Sequence, residues 1–592
     1  MKKYLALLLA GVMMLSLVSC GEKQTTDDKQ TGNKTPDGVI SSVVDLNTDW
    51  LPYDENGSLK LTERDAEGKN GVISSANYYA SKIGERIIEQ GGNAIDAAVA
   101  VGFAMSTVES YYSGLGGGGY MLVRFAETGE TVFLDFRETA PANTNPDTWP
   151  KDANGNWAGD YSQAIGPWGI AVPGYVKGMM YALENYGTMS REEVLSPSVE
   201  LAKKGFPVGA YMLECMTEHY NWYTFTDETQ KIYYKEDGLP YEVGEIYTNP
   251  ELGDTIQKII DQGADGFYKG SVGESIIRTA NKYGNTMTKE DLEGYEIKVR
   301  TPVSGNYRGY TVISSPPSSS GGTSVVEILN MLENFDVASL QINSPEYINL
   351  FTEAFKMAFA DRNKYIADTD FTDVPLEGLQ SKDYAAQRAA LIELGTTKDY
   401  EPGNPIDLCT GNTTHFSIMD KDGNIVSVTQ TNNGGCGVTA EGTGVLLNGE
   451  MLDFTPGWGN ANSIEGGKRP LSSMSPTIIL DSNGEAYAAL GTPGSTRIIT
   501  TSALVISHLI DHKMDIQEAI NAPRFFCNGG SLSMETRIPE DVSAALEEMG
   551  YTVSRTKDYD QWFGGFHGVV KLDDGTLRGG ADIRRDGKAL AY

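Results

Sequence analysis

Residues 412–431 read Asn-Thr-Thr-His-Phe-Ser-Ile-Met-Asp-Lys-Asp-Gly-Asn-Ile-Val-Ser-Val-Thr-Gln-Thr. This stretch contains two strand-like runs, Thr414–Met419 and Ile425–Thr431, on either side of the turn Asp422-Gly423-Asn424. Asp-Gly and Asn-Gly turns between alternating residues are the strongest short-range signal for a β-hairpin. The stretch therefore predicts an antiparallel hairpin whose first strand begins at the two threonines.

The same pattern occurs elsewhere in both halves of the chain. Further strand pairs with short turns are predicted at Tyr120–Phe125 with Thr131–Asp135, Thr477–Leu480 with Ala486–Leu490, and His567–Leu572 with Leu577–Gly580. Helical stretches fall between these hairpins, at Ser75–Gln90, Ala94–Thr107, Pro197–Lys204, Thr323–Asn334, Pro345–Tyr365, Asp383–Leu394, Ser502–His512 and Ile516–Ala522. Hairpins interspersed with helices predict an α+β protein in which helices pack on antiparallel sheets.

Composition limits the classes of partner. The chain has 592 residues, of which 40% are hydrophobic, and a formal net charge of −33 at pH 7. Such a surface repels phosphate backbones, so we expect no nucleic-acid partner. The five histidines form no HExxH motif and the cysteines show no CxxC spacing, so we expect no catalytic metal. Beyond Cys20 the cysteines are too sparse for a disulfide framework, and the sequence leaves their pairing open; they are Cys215, Cys409, Cys436 and Cys527.

The N-terminus has the features of an export signal. Two lysines precede the apolar run Leu5–Val18, which is too short for an ordinary membrane-spanning helix. The run ends in Leu17-Val18-Ser19-Cys20, which resembles the lipobox of bacterial lipoproteins, whose cysteine is acylated. We predict a signal peptide at residues 1–19, acylation of Cys20, a polar tether at residues 20–45, and a location outside the cytoplasm on the bacterial cell membrane. The alternative is a simple secretory signal with an incidental cysteine.

Two segments are candidates for a site. The glycine run Gly114–Gly119 lacks the Gly-Lys-Ser/Thr ending of a phosphate loop and precedes a strand, so its glycines favour close backbone approach instead. The pair Thr413-Thr414 follows a Pro-, Gly- and Asn-containing loop, residues 401–412, and begins a rigid strand. A polar segment, Lys468–Thr477, enters a later apolar strand. These features indicate a site without identifying its chemistry.

From about Gly71 to Tyr592 the chain resembles the γ-glutamyltransferase family throughout. The runs that carry this resemblance are Gly91–Ala98, Ser113–Tyr120, Asp135–Glu138, Val172–Gly174, Ser320–Thr323, Ala360–Arg362, Asn412–Phe416, Arg469–Thr477 and Gly491–Thr500. Members of this family fold as a four-layer αββα sandwich of the N-terminal-nucleophile hydrolase type. The resemblance thus implies the same architecture here.

The resemblance also implies that the precursor cleaves itself between Asn412 and Thr413. The products would be a large subunit, residues 46–412 after the tether, and a small catalytic subunit, residues 413–592, held together as a heterodimer. The new α-amine of Thr413 would act as general base for its own hydroxyl, because its ordinary pKa of about 7.7–8.0 suits proton transfer near neutral pH.

Site residues are carried over by their match to the family. Thr431 would orient Thr413, and the N–H groups of Gly494 and Ser495 would form the oxyanion hole, although the family commonly has two glycines there. The substrate-binding set has one arginine for the carboxylate, two serines as its hydroxyl partners and three groups for the ammonium. In that order these residues are Arg137, Ser472, Ser473, Asn433, Glu450 and Asp453. The short connection Phe454–Leu471 resembles that of members without a lid loop, so we expect an open pocket.

The sequence therefore favours an enzyme that hydrolyses and transfers γ-glutamyl groups. We expect glutathione-like donors, and water, amino acids or peptides as acceptors. We expect no cofactor. Two alternatives stay open. One is a relative on the same scaffold, either a cephalosporin or glutaryl acylase or a poly-γ-glutamate depolymerase. The other is a binding lipoprotein without catalytic activity.

Overall fold

A computed structural model describes residues 50–51, 59–61, 63–151, 166–401 and 413–592. Its strands are β1 Ala66–Gly68, β2 Gly71–Ser75, β3 Gly118–Arg124, β4 Thr131–Asp135, β5 Phe206–Pro207, β6 Ile246–Tyr247, β7 Lys298–Arg300, β8 Val303–Tyr307, β9 Tyr310–Ser314, β10 Thr413–Asp420, β11 Ile425–Thr431, β12 Thr439–Ala440, β13 Val445–Leu446, β14 Thr477–Leu480, β15 Ala486–Gly491, β16 Phe525–Phe526, β17 Leu532–Met534, β18 Val553–Arg555, β19 His567–Lys571, β20 Leu577–Ala581 and β21 Lys588–Ala591.

The α-helices are Tyr78–Glu89, Ala94–Val108, Tyr175–Tyr186, Arg191–Lys204, Ala210–Glu218, Tyr220–Tyr223, Asp227–Tyr233, Pro250–Gln262, Asp265–Tyr268, Gly270–Lys282, Lys289–Glu293, Gly321–Leu332, Pro345–Tyr365, Leu376–Leu379, Lys382–Ala389, Arg497–Ile510, Ile516–Asn521 and Glu540–Glu548. The helix Ala94–Val108 is buried along its whole length, which agrees with its nearly uniform apolar sequence.

Two seven-stranded antiparallel sheets form the centre of the fold. In the first sheet the strand order is β21-β2-β10-β11-β3-β4-β7, and in the second it is β1-β20-β19-β15-β14-β9-β8. Each sheet combines strands from before residue 402 with strands from after residue 412. For example, β10 pairs with β2 on one side and with β11 on the other.

Three apolar layers separate the helices and sheets. Between the two sheets lies a small cluster that includes Leu122, Met419 and Val569. A large cluster joins the outer face of the first sheet to the helices Tyr78–Glu89 and Ala94–Val108, and another joins the second sheet to Gly321–Leu332 and Arg497–Ile510. Helix, sheet, sheet and helix thus form four layers. The predicted α+β class and αββα sandwich are confirmed.

The central hairpin has a strict alternation. Phe416 and Ile418 pack on the helices, while Met419 packs between the sheets. Since successive side chains of a strand point to opposite faces, Thr413 shares the face of Met419 and is directed between the sheets. Thr431 is its register partner across the hairpin.

Two helix starts were predicted too far along the chain. The helix expected from Ser502 begins at Arg497. The helix expected from Pro197 begins instead at Arg191, and Pro197 lies inside it. The reason is a capping box: the Ser190 hydroxyl accepts from the Glu193 N–H, while the Glu193 carboxylate accepts from the Ser190 N–H. That Ser-x-x-Glu pattern is a stronger start signal than the later proline.

Within the described ranges, no helix has the length and apolar character needed to cross a bilayer. The same residues contain no group of three or more His, Cys, Asp or Glu arranged to hold a metal ion. Cys215, Cys436 and Cys527 are buried, whereas Cys409 and Cys20 lie outside the described residues, as do residues 1–45 with their predicted signal peptide and tether.

The layer between the sheets yields a stability prediction. Leu122 is fully buried there, so Leu122→Ala should lower the free energy of unfolding by about 2–5 kcal/mol. The matched control is Val299→Ala, because Val299 is 55% exposed and its truncation should change stability by less than about 0.5 kcal/mol. Denaturant midpoints of the two variants measure the difference, and equal midpoints would contradict the assigned layer.

Candidate active site

The hairpin brings two threonines together. Thr413 at the start of β10 faces Thr431 at the end of β11, and the Thr413 hydroxyl donates to the Thr431 hydroxyl over 3.4 Å. The Thr431 hydroxyl oxygen also accepts from the Asn433 N–H at 2.8 Å. This second bond fixes the rotamer of Thr431, so Thr431 is held in place as the partner of Thr413.

A turn with two unusual residues lies beside this pair. It connects β15 to the helix Arg497–Ile510 and contains Gly494 with φ of 126° and Ser495 with φ of 55°. In the described part of the chain, neither the Gly494 N–H nor the Ser495 N–H donates to another residue. Two adjacent unused donors at a helix N-terminus form a site suited to negative charge.

Ser495 adopts the left-handed region that favours glycine. A side chain in that region costs about 1–2 kcal/mol. Ser495 therefore holds this backbone conformation at an energetic cost.

Three carboxyl groups cluster around a fully buried guanidinium. Arg137 is 1% exposed and contacts Glu450 at 2.6 Å, Glu138 at 3.3 Å, and Asp453. Burial raises the pKa of the Glu138 carboxyl to about 7, although the Arg137 cation opposes that shift. Burial likewise raises the pKa of Glu450. Three carboxyl groups around one cation make this end of the site rich in negative charge and ready to take up a proton.

Amide and hydroxyl groups complete the polar lining. The Asn433 side-chain amide donates to the Asp453 carboxylate at 3.2 Å. The Ser472 hydroxyl accepts from the Met474 N–H at 3.1 Å, and the Ser473 hydroxyl accepts from Arg362 at 3.1 Å. Each polar group is therefore positioned by a neighbour.

These residues surround one cavity. Its lining consists of Arg137, Arg362, Thr413, Thr431, Asn433, Asp453, Leu471, Ser472, Ser473, Met474, Ser495 and Ile498. The space open to water is about 30 Å³, enough for one or two water molecules. Of the connection Phe454–Leu471, all of which is described, Leu471 alone contributes to the lining. The connection expected to leave the pocket without a lid does not cover it, but the cavity is narrower than an open pocket.

Most residues predicted from the sequence meet here. Glu450 lies behind Arg137 rather than in the lining, and Gly494 belongs to the turn but is found in the lining of a neighbouring cleft. Asn412, the predicted residue before the cleavage point, lies outside the described residues. Sequence reasoning missed Arg362, which also donates to the Ser320 hydroxyl at 2.9 Å. Its signal was present, since Ala360–Arg362 is one of the runs that match the family.

Comparison with known proteins places this site in a family. The Gamma-glutamyltranspeptidase family model matches residues 80–592. A glutathione hydrolase proenzyme from Pseudomonas sp. (strain A14) is 42% identical over 77% of this chain and 81% of that protein. A glutathione hydrolase proenzyme from Escherichia coli (strain K12) is 38% identical over 87% of this chain and 90% of that protein.

Among solved structures, the cephalosporin acylase from Bacillus halodurans superposes with a TM-score of 0.80 at 27% identity. The superposition covers 93% of this chain and 99% of that chain. The family match, the extent of the identities and the shared fold lead to one conclusion. The chain belongs to the γ-glutamyltranspeptidase family of enzymes.

Proposed function

We propose that this protein is a self-processing γ-glutamyl hydrolase and transferase that uses Thr413 as its nucleophile. One observation carries the proposal: the Thr413 hydroxyl, Ser495 of the neighbouring turn and the Arg137–Asp453 pair surround the same cavity. The names of the two relatives, both glutathione hydrolase proenzymes, support a glutathione-like donor and a precursor that is processed.

The first step is proposed to be self-cleavage. The Thr413 hydroxyl oxygen attacks the Asn412 carbonyl carbon, the Asn412–Thr413 C–N bond breaks, and the amide nitrogen takes the hydroxyl proton to become an amine. Water then hydrolyses the resulting ester and leaves a carboxylate on Asn412 and a free hydroxyl on Thr413. The freed α-amine lies on the same residue as the hydroxyl that it must deprotonate, so no histidine is needed.

Turnover follows the same chemistry on a donor. The Thr413 hydroxyl adds to the γ-carbonyl carbon while its proton moves to the α-amine. The negative charge on the carbonyl oxygen would be stabilised by the Gly494 and Ser495 N–H groups, each worth about 3–4 kcal/mol in such sites. The ammonium then returns the proton to the departing nitrogen, which leaves a γ-glutamyl ester on Thr413. Water or an amino group attacks this ester and releases Thr413.

Donor recognition requires a change of partners at Arg137. Its guanidinium is occupied by protein carboxylates in the structure, so a donor carboxylate can bind only by displacing one of them. Asp453 is the suitable group to move, because it is the most exposed of the three at 15% and can then accept the donor ammonium. This exchange would also widen the narrow cavity.

The same-scaffold acylase is the second candidate, since a cephalosporin acylase has this fold. A glutaryl donor carries no α-ammonium. The Asn433–Asp453 contact presents an oriented carboxylate to the cavity. That carboxylate has a binding partner only when the donor carries an α-ammonium. This observation favours γ-glutamyl donors over glutaryl donors.

We further propose that the mature protein is held on the outer face of the cell membrane by acyl chains on Cys20. The lipobox-like Leu17-Val18-Ser19-Cys20 supports this location. More than one acyl chain is needed for stable anchoring, which the modified cysteine of a lipoprotein would supply.

Self-cleavage predicts that Thr413→Ala remains one full-length chain on a denaturing gel, because the attacking hydroxyl is gone. Thr414→Ala is the matched control: residue 414 faces the opposite side of the sheet, so this variant should still give two fragments. Identical fragments from Thr413→Ala would mean that another protease makes the cut.

Donor selectivity predicts that Asp453→Asn lowers kcat/KM for a γ-glutamyl anilide by about 100-fold, equivalent to about 3 kcal/mol. The same change should affect the corresponding glutaryl anilide by less than about threefold, since that donor has no ammonium. Glu465→Gln, which removes an exposed acid from the neighbouring loop, should change neither rate. Equal losses on both donors in fully processed enzyme would show that Asp453 maintains the structure of the site instead.

The anchor predicts that detergent phase separation moves wild-type protein into the detergent phase and Cys20→Ser into the aqueous phase. Cys409→Ser serves as the control, because it removes a thiol outside the lipobox. If wild type and Cys20→Ser both partition into the aqueous phase, the N-terminus is an ordinary export signal.

A further inference from the structure

A second, larger cleft lies next to the turn that holds Gly494 and Ser495. Its volume is about 580 Å³, within the range of about 300–1,000 Å³ that is usual for small-molecule sites. Its walls come from distant parts of the chain and include Tyr112, Tyr211, Arg497, Gln561, Trp562 and Arg585. None of the steps described above uses this cleft.

The turn forms a wall between the cleft and the Thr413 cavity. Ser495 and Ile498 line the Thr413 cavity, whereas Gly494 and Arg497 line the cleft. The two residues of each pair are three positions apart in the sequence. The start of this helix therefore presents one face to the Thr413 cavity and another to the cleft. A molecule in the cleft would therefore contact the reverse side of the same turn that faces Thr413.

The buried end of the cleft is cationic and aromatic. Arg497 and Arg585 are 6% and 4% exposed. Arg497 stacks on Trp562 with 4.4 Å between the guanidinium carbon and the ring centroid, and Arg585 lies over Tyr211 at 4.6 Å. Arg585 also pairs with Glu109 at 3.2 Å. Stacked guanidinium groups that line a cleft suit a carboxylate.

The rim carries the opposite charge. Glu218 is exposed and Asp560 is partly exposed, while Lys557, also at the rim, is paired with Glu214 at 2.9 Å. The rim thus offers carboxylates to a cation.

Two buried polar atoms of the lining lack partners. In the described residues, neither Nε of Arg585 nor the side-chain oxygen of Gln561 makes a hydrogen bond, although both are shielded from solvent. A buried polar atom without a partner costs about 1–3 kcal/mol. Both atoms therefore lie within the wall of the cleft, where this cost falls on the wall itself, and a ligand would contact the surface groups of the lining instead.

We propose that this cleft binds a small zwitterion, an amino acid or a short peptide with an aromatic side chain, and that its occupancy alters the turn at Gly494. The carboxylate would contact Arg497 and Arg585, the ring would pack on Tyr112 and Trp562, and the ammonium would lie at the acidic rim. Binding at the cleft does not depend on the function proposed above, whereas the effect on turnover does.

Close packing supplies the connection between the two spaces. Gly564 lies against the turn, so that a side chain on it would overlap the Pro493 carbonyl oxygen, and a side chain on Gly565 would overlap Arg585. A ligand that displaces Trp562 or Arg585 would therefore also displace residues 493–494, because a packed interior has no free space to absorb the shift.

The test uses the processed enzyme with its Thr413 site blocked by a boronic acid analogue of the γ-glutamyl group. Calorimetric titration with L-phenylalanine should still show one binding site. Ser554→Trp places a bulky ring in the cleft from an exposed position of β18, and should weaken binding by at least about tenfold. Ser304→Trp makes the same change at an exposed position of β8 outside the cleft and should leave binding unchanged.

Chemical class is tested with truncated probes. 3-Phenylpropanoate lacks the ammonium and 2-phenylethylamine lacks the carboxylate, so both should bind more weakly than L-phenylalanine. Unaltered binding in Ser554→Trp, or equal binding of all three compounds, would overturn the assignment.

Coupling is tested by the inhibition constant of the boronic acid with and without L-phenylalanine. Wild type and Ser304→Trp should show a shift that Ser554→Trp lacks, because linked sites change each other's affinity reciprocally. The same shift in all three proteins would place the amino acid in the Thr413 cavity and refute the coupling. If the boronic acid fails to bind at all, the Thr413 chemistry is wrong, and titration of the unblocked enzyme still decides the cleft.

Discussion

The position of β10 between β2 and β11 is the constraint on which the rest of the site depends. All residues of β10 are buried, and the strand is hydrogen-bonded on both sides over most of its length. Because side chains alternate along a strand, a slip of one residue would turn Thr413 toward the helices and place Thr414 in the cavity. The apolar sequence of Phe416 and Ile418 on one face and Met419 on the other prevents that slip. Core packing therefore determines which of two adjacent threonines faces the cavity.

At the charged end of the site, ion pairs with carboxyl groups offset the cost of burying Arg137. Arg137 could not be buried alone, since an isolated charge in the interior is unstable, and three carboxyl groups compensate it with negative charge in excess. Burial raises the pKa values of Glu138 and Glu450, and the neighbouring carboxylates add to the shift toward the neutral form. An arrangement with surplus acid can release one carboxylate to a ligand and still keep the arginine paired. A single matched ion pair could not do so.

The sequence predicted the hairpins well because their signals are local. Asp422-Gly423-Asn424 and similar turns mark where strands reverse, and Pro345–Tyr365 was predicted with its observed bounds from its periodicity and its proline in the first turn. The helices between Ala210 and Glu293 were not predicted. Five of them are only four to nine residues long, whereas Pro250–Gln262 and Gly270–Lys282 have thirteen residues each and an amphipathic pattern that the prediction missed. The site residues came from family resemblance rather than from local pattern. The larger cleft could not be found that way, because it joins side chains from Tyr112 to Arg585 that only the tertiary fold brings together.

Each of the two central sheets contains strands from before residue 402 and from after residue 412, and this mixing also restricts how the protein can fold. A polypeptide ending before residue 402 would contain β2 with neither of its neighbours, β10 and β21, and β3 without β11. Unpaired strand edges of this kind pair with other chains and aggregate. The two parts must therefore fold while they are still one molecule, and synthesis from separate genes would need another means of protecting those edges. The covalent link between the two parts therefore assists folding, and the folded assembly no longer depends on that link.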